Sequence, residues 1–295
     1  MSAVVASPVN AGSAAAARVG VFLALGSMLC VQLGAAVSVH LLGEIGPAGV
    51  AWIRLVWAGL VLLVLARPRP SSFTRSALLA CVALGVVTAA MTLLFMQAIA
   101  RMPLGTASAL EFLGPLTVAV ARGGGRRLWP ALATVGVVLL TQPWRGGVDP
   151  AGVGFALGAA CGWAVYILLT QRVGDDVSGL QGLGISMPVA GVVATIFAAP
   201  STFGHLSWHL VLVGLGLALL LPVVPFSLEM LALRRLTAAA FGTLMSIEPA
   251  IAGLVGLVFL RQLPTVWAVA GIGFVVAAGV GAQRSGARPV RQQGV

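Results

Sequence analysis

Glu248 stands directly before Pro249 inside the apolar stretch Ala238 to Leu260, a pairing that could carry a proton or hold a polar solute. About twenty residues of helix cross a bilayer core, which puts Glu248 near mid-depth. An ionisable group there is costly to keep and by default marks a functional site. Pro249 cannot donate a backbone hydrogen bond, so the carbonyl of Met245 loses its helical partner. Under-bonded backbone at that depth is tolerated where it faces protein or a wet cavity. A related stretch, GTASALEFLGP, sets Glu111 four residues ahead of Pro115 and frees the carbonyl of Glu111 itself. Arg54 and Glu111 each lie about six residues from the same expected membrane face, roughly 9 Å into the helix at 1.5 Å per residue. The two can therefore pair, either to orient a charged solute or only to tie two helices together. Glu248 has no cation at matching depth in the sequence, so its carboxyl is suited to taking up and giving off a proton.

Weaker candidates surround these three. Glu229 lies near Arg234 and Arg235 at the end of its apolar segment, where it can snorkel to the interface or join the site. Pro222 and Pro225 interrupt the same segment, either exposing backbone groups to a solute or only kinking the helix. Ser246 and Thr243 share the helix of Glu248, and their hydroxyls can serve a solute or bond their own backbone. Trp163 and Tyr166 join a polar tip to an apolar body and could line a cavity. Gly154, Gly158 and Gly162, at four-residue spacing, form a small face for close helix packing. His40, His205 and His209 are not spaced as a metal site, and Cys30, Cys81 and Cys161 read as packing residues rather than a disulfide or metal set. No cofactor is called for.

The elements that must hold these residues are membrane helices. The chain has 295 residues, 59% of them hydrophobic and 8% charged, with a mean hydropathy of +1.06. That composition belongs to a polytopic membrane protein. Apolar segments run from Val19 to Leu42, Ala48 to Leu65, Ser76 to Ile99, Gly105 to Ala121 and Leu128 to Leu140, and then from Gly152 to Thr170, Leu183 to Ala199, Trp208 to Leu233, Ala238 to Leu260 and Val266 to Ala282. The expected fold is an all-α membrane protein of ten transmembrane helices. The 17 basic residues are all arginine and give a net charge of +10. With the N-terminus inside, most of them fall in inner segments, including Arg67, Arg69 and Arg75, Arg122, Arg126 and Arg127, and Arg284, Arg288 and Arg291. Only Arg101, Arg145 and Arg261 fall in outer loops, as the retention of positive charge in the cytoplasm predicts. Topology accounts for the charge, and nucleic acid is not needed as a partner. The chain has no phosphate-binding GxxxxGK loop, HExxH or GxSxG, which disfavours an ATP-driven pump or an intramembrane enzyme.

The two proline stretches suggest a repeat. Pro115 meets Pro249 at an offset of 134, where Met96, Ala98, Arg101 and Leu110 also meet Met230, Ala232, Arg235 and Leu244. Residues 19–141 and 152–282 would then be two five-helix repeats of opposite polarity, with tails at 1–18 and 283–295 in the cytoplasm. Inverted repeats of this kind are characteristic of transporters, with the solute site at the repeat interface near the midplane. ALEFLGPL (Ala109 to Leu116), CGWAVYIL (Cys161 to Leu168), PFSLEM (Pro225 to Met230) and FGTLMSIEPA (Phe241 to Ala250) resemble the amino-acid exporters of the EamA branch of the drug/metabolite transporter superfamily. The resemblance implies a multi-pass protein of the bacterial cytoplasmic (inner) membrane that exports small amino acids such as threonine and homoserine, driven by proton exchange. Another metabolite or a drug as cargo, and a non-transporting membrane scaffold, remain the alternatives; a homodimer is left open. The arginine pattern yields a direct expectation: a reporter active only outside the cytoplasm stays silent when fused after Val295, and its activity there would reverse the topology.

Overall fold

The computed structural model describes residues 10–69, 73–122, 128–142, 149–176, 180–202, 207–233, 235–236 and 238–286. The GGGRR stretch at 123–127, Trp144, Arg145, His205, Arg234 and most of both tails, with Arg288 and Arg291, lie outside the described residues. Every described element is a helix. The order is α1 (Asn10–Ala66), α2 (Arg75–Ile99), α3 (Leu104–Glu111), α4 (Leu113–Arg122), α5 (Leu128–Thr141), α6 (Pro150–Asp176) and α7 (Gln181–Thr202), followed by α8 (Trp208–Ala218), α9 (Val224–Leu233), α10 (Ala238–Met245), α11 (Glu248–Leu260) and α12 (Val266–Gly286). Among the described residues six stretches are long and apolar enough to cross a membrane, the longest of them Ala17–Ala66, and three shorter apolar helices accompany them. With no water in a bilayer core, only helices and closed barrels satisfy the backbone there. The surface carries the matching signature. Phe22, Leu79, Ile196, Phe197, Leu254 and Val258 are exposed around the outside, where lipid rather than water would solvate them.

Breaks in the helices fall where the sequence removes a donor or permits an unusual backbone. Two apolar segments join in α1 through the single non-helical residue Gly46 (φ 67°, ψ 171°), followed by Pro47. Glycine reaches that left-handed φ without a Cβ clash, and proline can open the second arm because a first-turn N–H needs no helical partner. Between α8 and α9 the chain widens into a π turn, Leu219–Val223, which contains Pro222, and the N–H of Val224 reaches back to the carbonyl of Leu219. Phe112 separates α3 from α4 ahead of Pro115, and Ser246 and Ile247 separate α10 from α11 ahead of Pro249. Phe112 and Ser246 are 134 residues apart, the spacing of the two prolines. α11 ends on Arg261 in the left-handed region (φ 54°), and the N–H of Gln262 returns to the carbonyl of Gly256 at 3.0 Å.

α3 lies at the centre, with Leu104 through Leu110 all buried. It crosses α11 with little between the backbones: a Cβ on Gly105 would come within 2.7 Å of the Cα of Gly253. Beside this crossing the backbone N–H of Leu104 donates to Gln262 Oε1 at 2.9 Å. Further polar contacts gather at the same end, from Gln142 Nε2 to Thr265 Oγ1 at 2.9 Å and from Arg101 to Asp149 at 3.5 Å. α4 and α10, which continue α3 and approach α11 at their other ends, lie instead against α12. Around this centre, the second arm of α1 packs on α7 through Gly59 and Gly191, α2 packs on α6 and α5 on α12. Gly158 and Gly162 of α6 receive Leu94 and Met91 of α2, as close packing requires, whereas Gly154 meets nothing within 4 Å. The small face on α6 therefore has two working members rather than the three expected. Gly105→Val is expected to cost about 1–3 kcal/mol through overpacking against Gly253, and Gly273→Ala, which meets open space, nearly nothing; thermal unfolding in detergent compares the two.

Candidate functional site

The first arm of α1 carries two polar side chains that the rest of the site is hung on. Ser27 is fully buried, and its hydroxyl reaches two acceptors: Glu229 Oε1 on α9 at 2.9 Å and the carbonyl of Pro225 at 3.2 Å. Five residues on, about 7.5 Å along the helix at 1.5 Å per residue, Gln32 Nε2 donates to Glu248 Oε1 at 3.1 Å. Two carboxyls from different helices are thus held at successive levels of one helix.

Glu248 is the first residue of α11, 5% exposed, with Pro249 fully buried behind it. It sits close enough to Glu229 for the two charges to act on each other, and Glu111 at the end of α3 is in turn within electrostatic reach of Glu248. Three carboxyls from α9, α11 and α3 therefore form a coupled set in the interior, and Arg54 on the second arm of α1 acts on the Glu111 end of it. Arg101 and Asp149 make a salt-bridge contact, whereas Arg54 and Glu111 do not. The expected Arg54–Glu111 pair is therefore an interaction at a distance and not a contact ion pair.

The other expected site residues divide. Tyr166 of α6 lies within electrostatic reach of Glu229, although α6 and α9 are far apart in sequence. Trp163 packs edge-on against Phe112, the residue at the α3–α4 break, with ring centroids 6.3 Å apart and planes at 81°. It buttresses the end of α3 that presents Glu111. Ser246 does not face the carboxyls with its hydroxyl, which donates to the carbonyl of Gly242 at 3.0 Å, and the residue abuts Gly279 of α12. It steadies the α10–α11 break, the backbone use open to any serine in a helix. Pro115 and Pro249 each follow a helix break, while Pro222 lies inside the π turn. Ser27 and Gln32 were not among the candidates drawn from sequence. The signal available for them was their polarity within the long apolar run Val19 to Leu42.

A buried set of carboxyls and one guanidinium on discontinuous helices is the form of a membrane transporter's solute and ion site, and comparison with known proteins gives the class directly. Residues 18–123 and 150–281 match the model of the EamA-like transporter family. The chain belongs to that family. Among curated relatives, the threonine/homoserine exporter RhtA of Escherichia coli (strain K12) is 35% identical over 267 residues, which cover 88% of this chain and 90% of the relative. RhtA of Salmonella typhimurium (strain SL1344) is 35% identical over 261 residues, 86% of this chain and 88% of the relative. Among solved structures, a crystal structure of a protein shares the fold, with a TM-score of 0.58 at 17% identity over 91% of this chain and 97% of the other. Reversing Arg54 to Glu and Glu111 to Arg together should recover folded yield lost in either single reversal, with a coupling of about 0.5–3 kcal/mol in a double-mutant cycle; a coupling of zero would remove the electrostatic link.

Proposed function

We propose that the protein is a secondary active exporter of small amino acids of the threonine and homoserine type, working by proton antiport in the inner membrane of a bacterium, with both termini in the cytoplasm. The observation that carries the reading is Glu248: a carboxyl buried at a helix break, hydrogen-bonded to α1 and coupled to carboxyls on two further helices. The 35% identity to threonine/homoserine exporters over nearly the whole chain supports the cargo.

Alternating access would use two inverted five-helix repeats, residues 19–141 and 152–282. Two features support that division. The family model matches the chain twice, over 18–123 and 150–281. The helix contacts also come in exchanged pairs: α2 on α6 is answered by α9 on α1, and α3 and α4 on α6 by α10 and α11 on α1. A two-fold relation between halves produces that exchange, and with opposite polarity it lets one half rock against the other around a central site. In this scheme the α3–α11 crossing closes the outer end. A zwitterionic amino acid enters from the cytoplasm between the halves, where Arg54 attracts its carboxylate and the carboxyls attract its ammonium. Glu248 gives up its proton inward as the solute loads, and takes one from outside after release. A buried carboxyl left charged with no partner is costly, so the empty carrier returns with the proton on board and the loaded one with the solute.

The test is flux of labelled threonine and homoserine in vesicles under an imposed pH gradient. Native protein should move both along the gradient, and Glu248→Gln, still folded by size-exclusion chromatography, should lose at least about 90% of gradient-driven flux, a tenfold loss or about 1.4 kcal/mol. Flux that persists and follows the gradient would transfer the proton to Glu111 or Glu229. Absence of flux in native protein would return the cargo to a screen of other metabolites and drugs.

A further inference from the structure

Gln32 and Glu248 meet through one atom each. Gln32 Nε2 donates to Glu248 Oε1, which leaves Gln32 Oε1 and Glu248 Oε2, both closed to solvent and both without a hydrogen-bond partner among the described residues. The two side chains are 3% and 5% exposed. A buried acceptor without a donor costs roughly 1–3 kcal/mol, and buried polar groups are otherwise almost always satisfied. Two such atoms on one hydrogen-bonded pair point to a ligand that brings donors.

The surroundings decide which kind. Glu248 is hydrogen-bonded to Gln32 of α1 and lies within electrostatic reach of Glu229 of α9 and Glu111 of α3, and Arg54 is the cation acting on this set, at its Glu111 end. Among the described residues the groups that act on Glu248 from α9 and α3 are carboxyls, and an ionised Glu248 favours a cationic donor over a neutral one. A neutral hydroxyl offers a single proton and would fill only one of the two acceptors, while an ammonium offers three donors and no acceptor. Among the described residues, no group of three or more His, Cys, Asp and Glu side chains is placed to hold a metal ion.

We propose that Gln32 Oε1 and Glu248 Oε2 are the acceptors for a primary ammonium group, so that Gln32 is a substrate-binding residue and the molecule carried is a primary amine or amino acid. This rests on the exporter reading for its cargo. It also gives that reading a physical basis for exchange: the Glu248 carboxylate holds a proton or an ammonium, and the arrival of one requires the departure of the other. Both acceptors are closed to water in this conformation, so the ammonium enters when the helices around them part.

Binding to purified protein in detergent, followed by calorimetry, tests the assignment with threonine, its amino alcohol threoninol and 2,3-dihydroxybutyrate, which lacks nitrogen. Native protein should bind both amines. Gln32→Met, which keeps the length and removes the acceptor, should weaken both by tenfold or more and leave the dihydroxy acid unchanged. Gln32→Asn, which draws the carbonyl back by one methylene, should weaken them in the same sense if the methionine variant does not fold, and Gln32→Glu, which keeps an acceptor, should retain them. Equal weakening of all three solutes would make Gln32 a structural residue and overturn the proposal, as would failure of native protein to bind either amine. Gln32-dependent binding of threoninol without vesicle transport of threonine would leave the ammonium site standing and sink the amino-acid exporter reading.

Discussion

Carboxyl groups inside a bilayer-spanning chain must be neutralised, hydrogen-bonded or used, and the arrangement of this protein follows from that constraint. Glu229, Glu248 and Glu111 sit on three different helices, and each would be expensive alone in an apolar interior. Ser27 and Gln32 supply a donor to two of them from one helix, and Arg54 lends positive potential to the third. None of these arrangements neutralises the set completely. A fully compensated network would make a stable core, whereas one left short of donors remains responsive to whatever cation arrives.

Helix breaks put the carboxyls there. Glu111 closes α3 and Glu248 opens α11, so each acid lies at a helix end rather than mid-helix. An acid at a helix N-terminus also meets the positive end of the peptide dipoles, which favours Glu248 in a way that Glu111, at a C-terminal end, does not share. Two carboxyls with related sequence surroundings are thereby given different environments. Glu111 has Arg54 in reach and Glu248 has Gln32, so the two carboxyls differ in partner as well as in position.

Much of this architecture is legible in the chain because apolar runs and prolines are strong signals. The helical segments fall close to the expected runs, and the breaks at Phe112 and at Ser246–Ile247 precede the prolines that were expected to disturb those helices. Glu248 stands out as a carboxyl in an apolar run. The partners are harder to see. A single glutamine or serine in a membrane helix is common enough that Gln32 and Ser27 announce nothing until α9 and α11 come to lie against α1. Depth reckoned along helices put Arg54 and Glu111 at one level, but level alone does not give lateral distance, and the two do not touch. The hydroxyl of Ser246 illustrates the converse case: a residue beside the central acid serves the backbone because its nearest acceptor is one turn behind it.

The Gly105–Gly253 crossing has a mechanical consequence. Where two helices meet backbone to backbone, few side chains need move for one to tilt on the other, here chiefly Ile272 of α12 beside the contact, so the crossing can serve as a fulcrum. Points near it scarcely travel, while points farther along sweep in proportion to distance. At 1.5 Å per residue, a position ten residues away lies about 15 Å down the axis, and a tilt of about 10° would carry it roughly 2.5 Å. α4, resting on α6 and α12, and α10, resting on α12 and α1, lie on the far arms of that lever and are the parts that such a tilt would displace most.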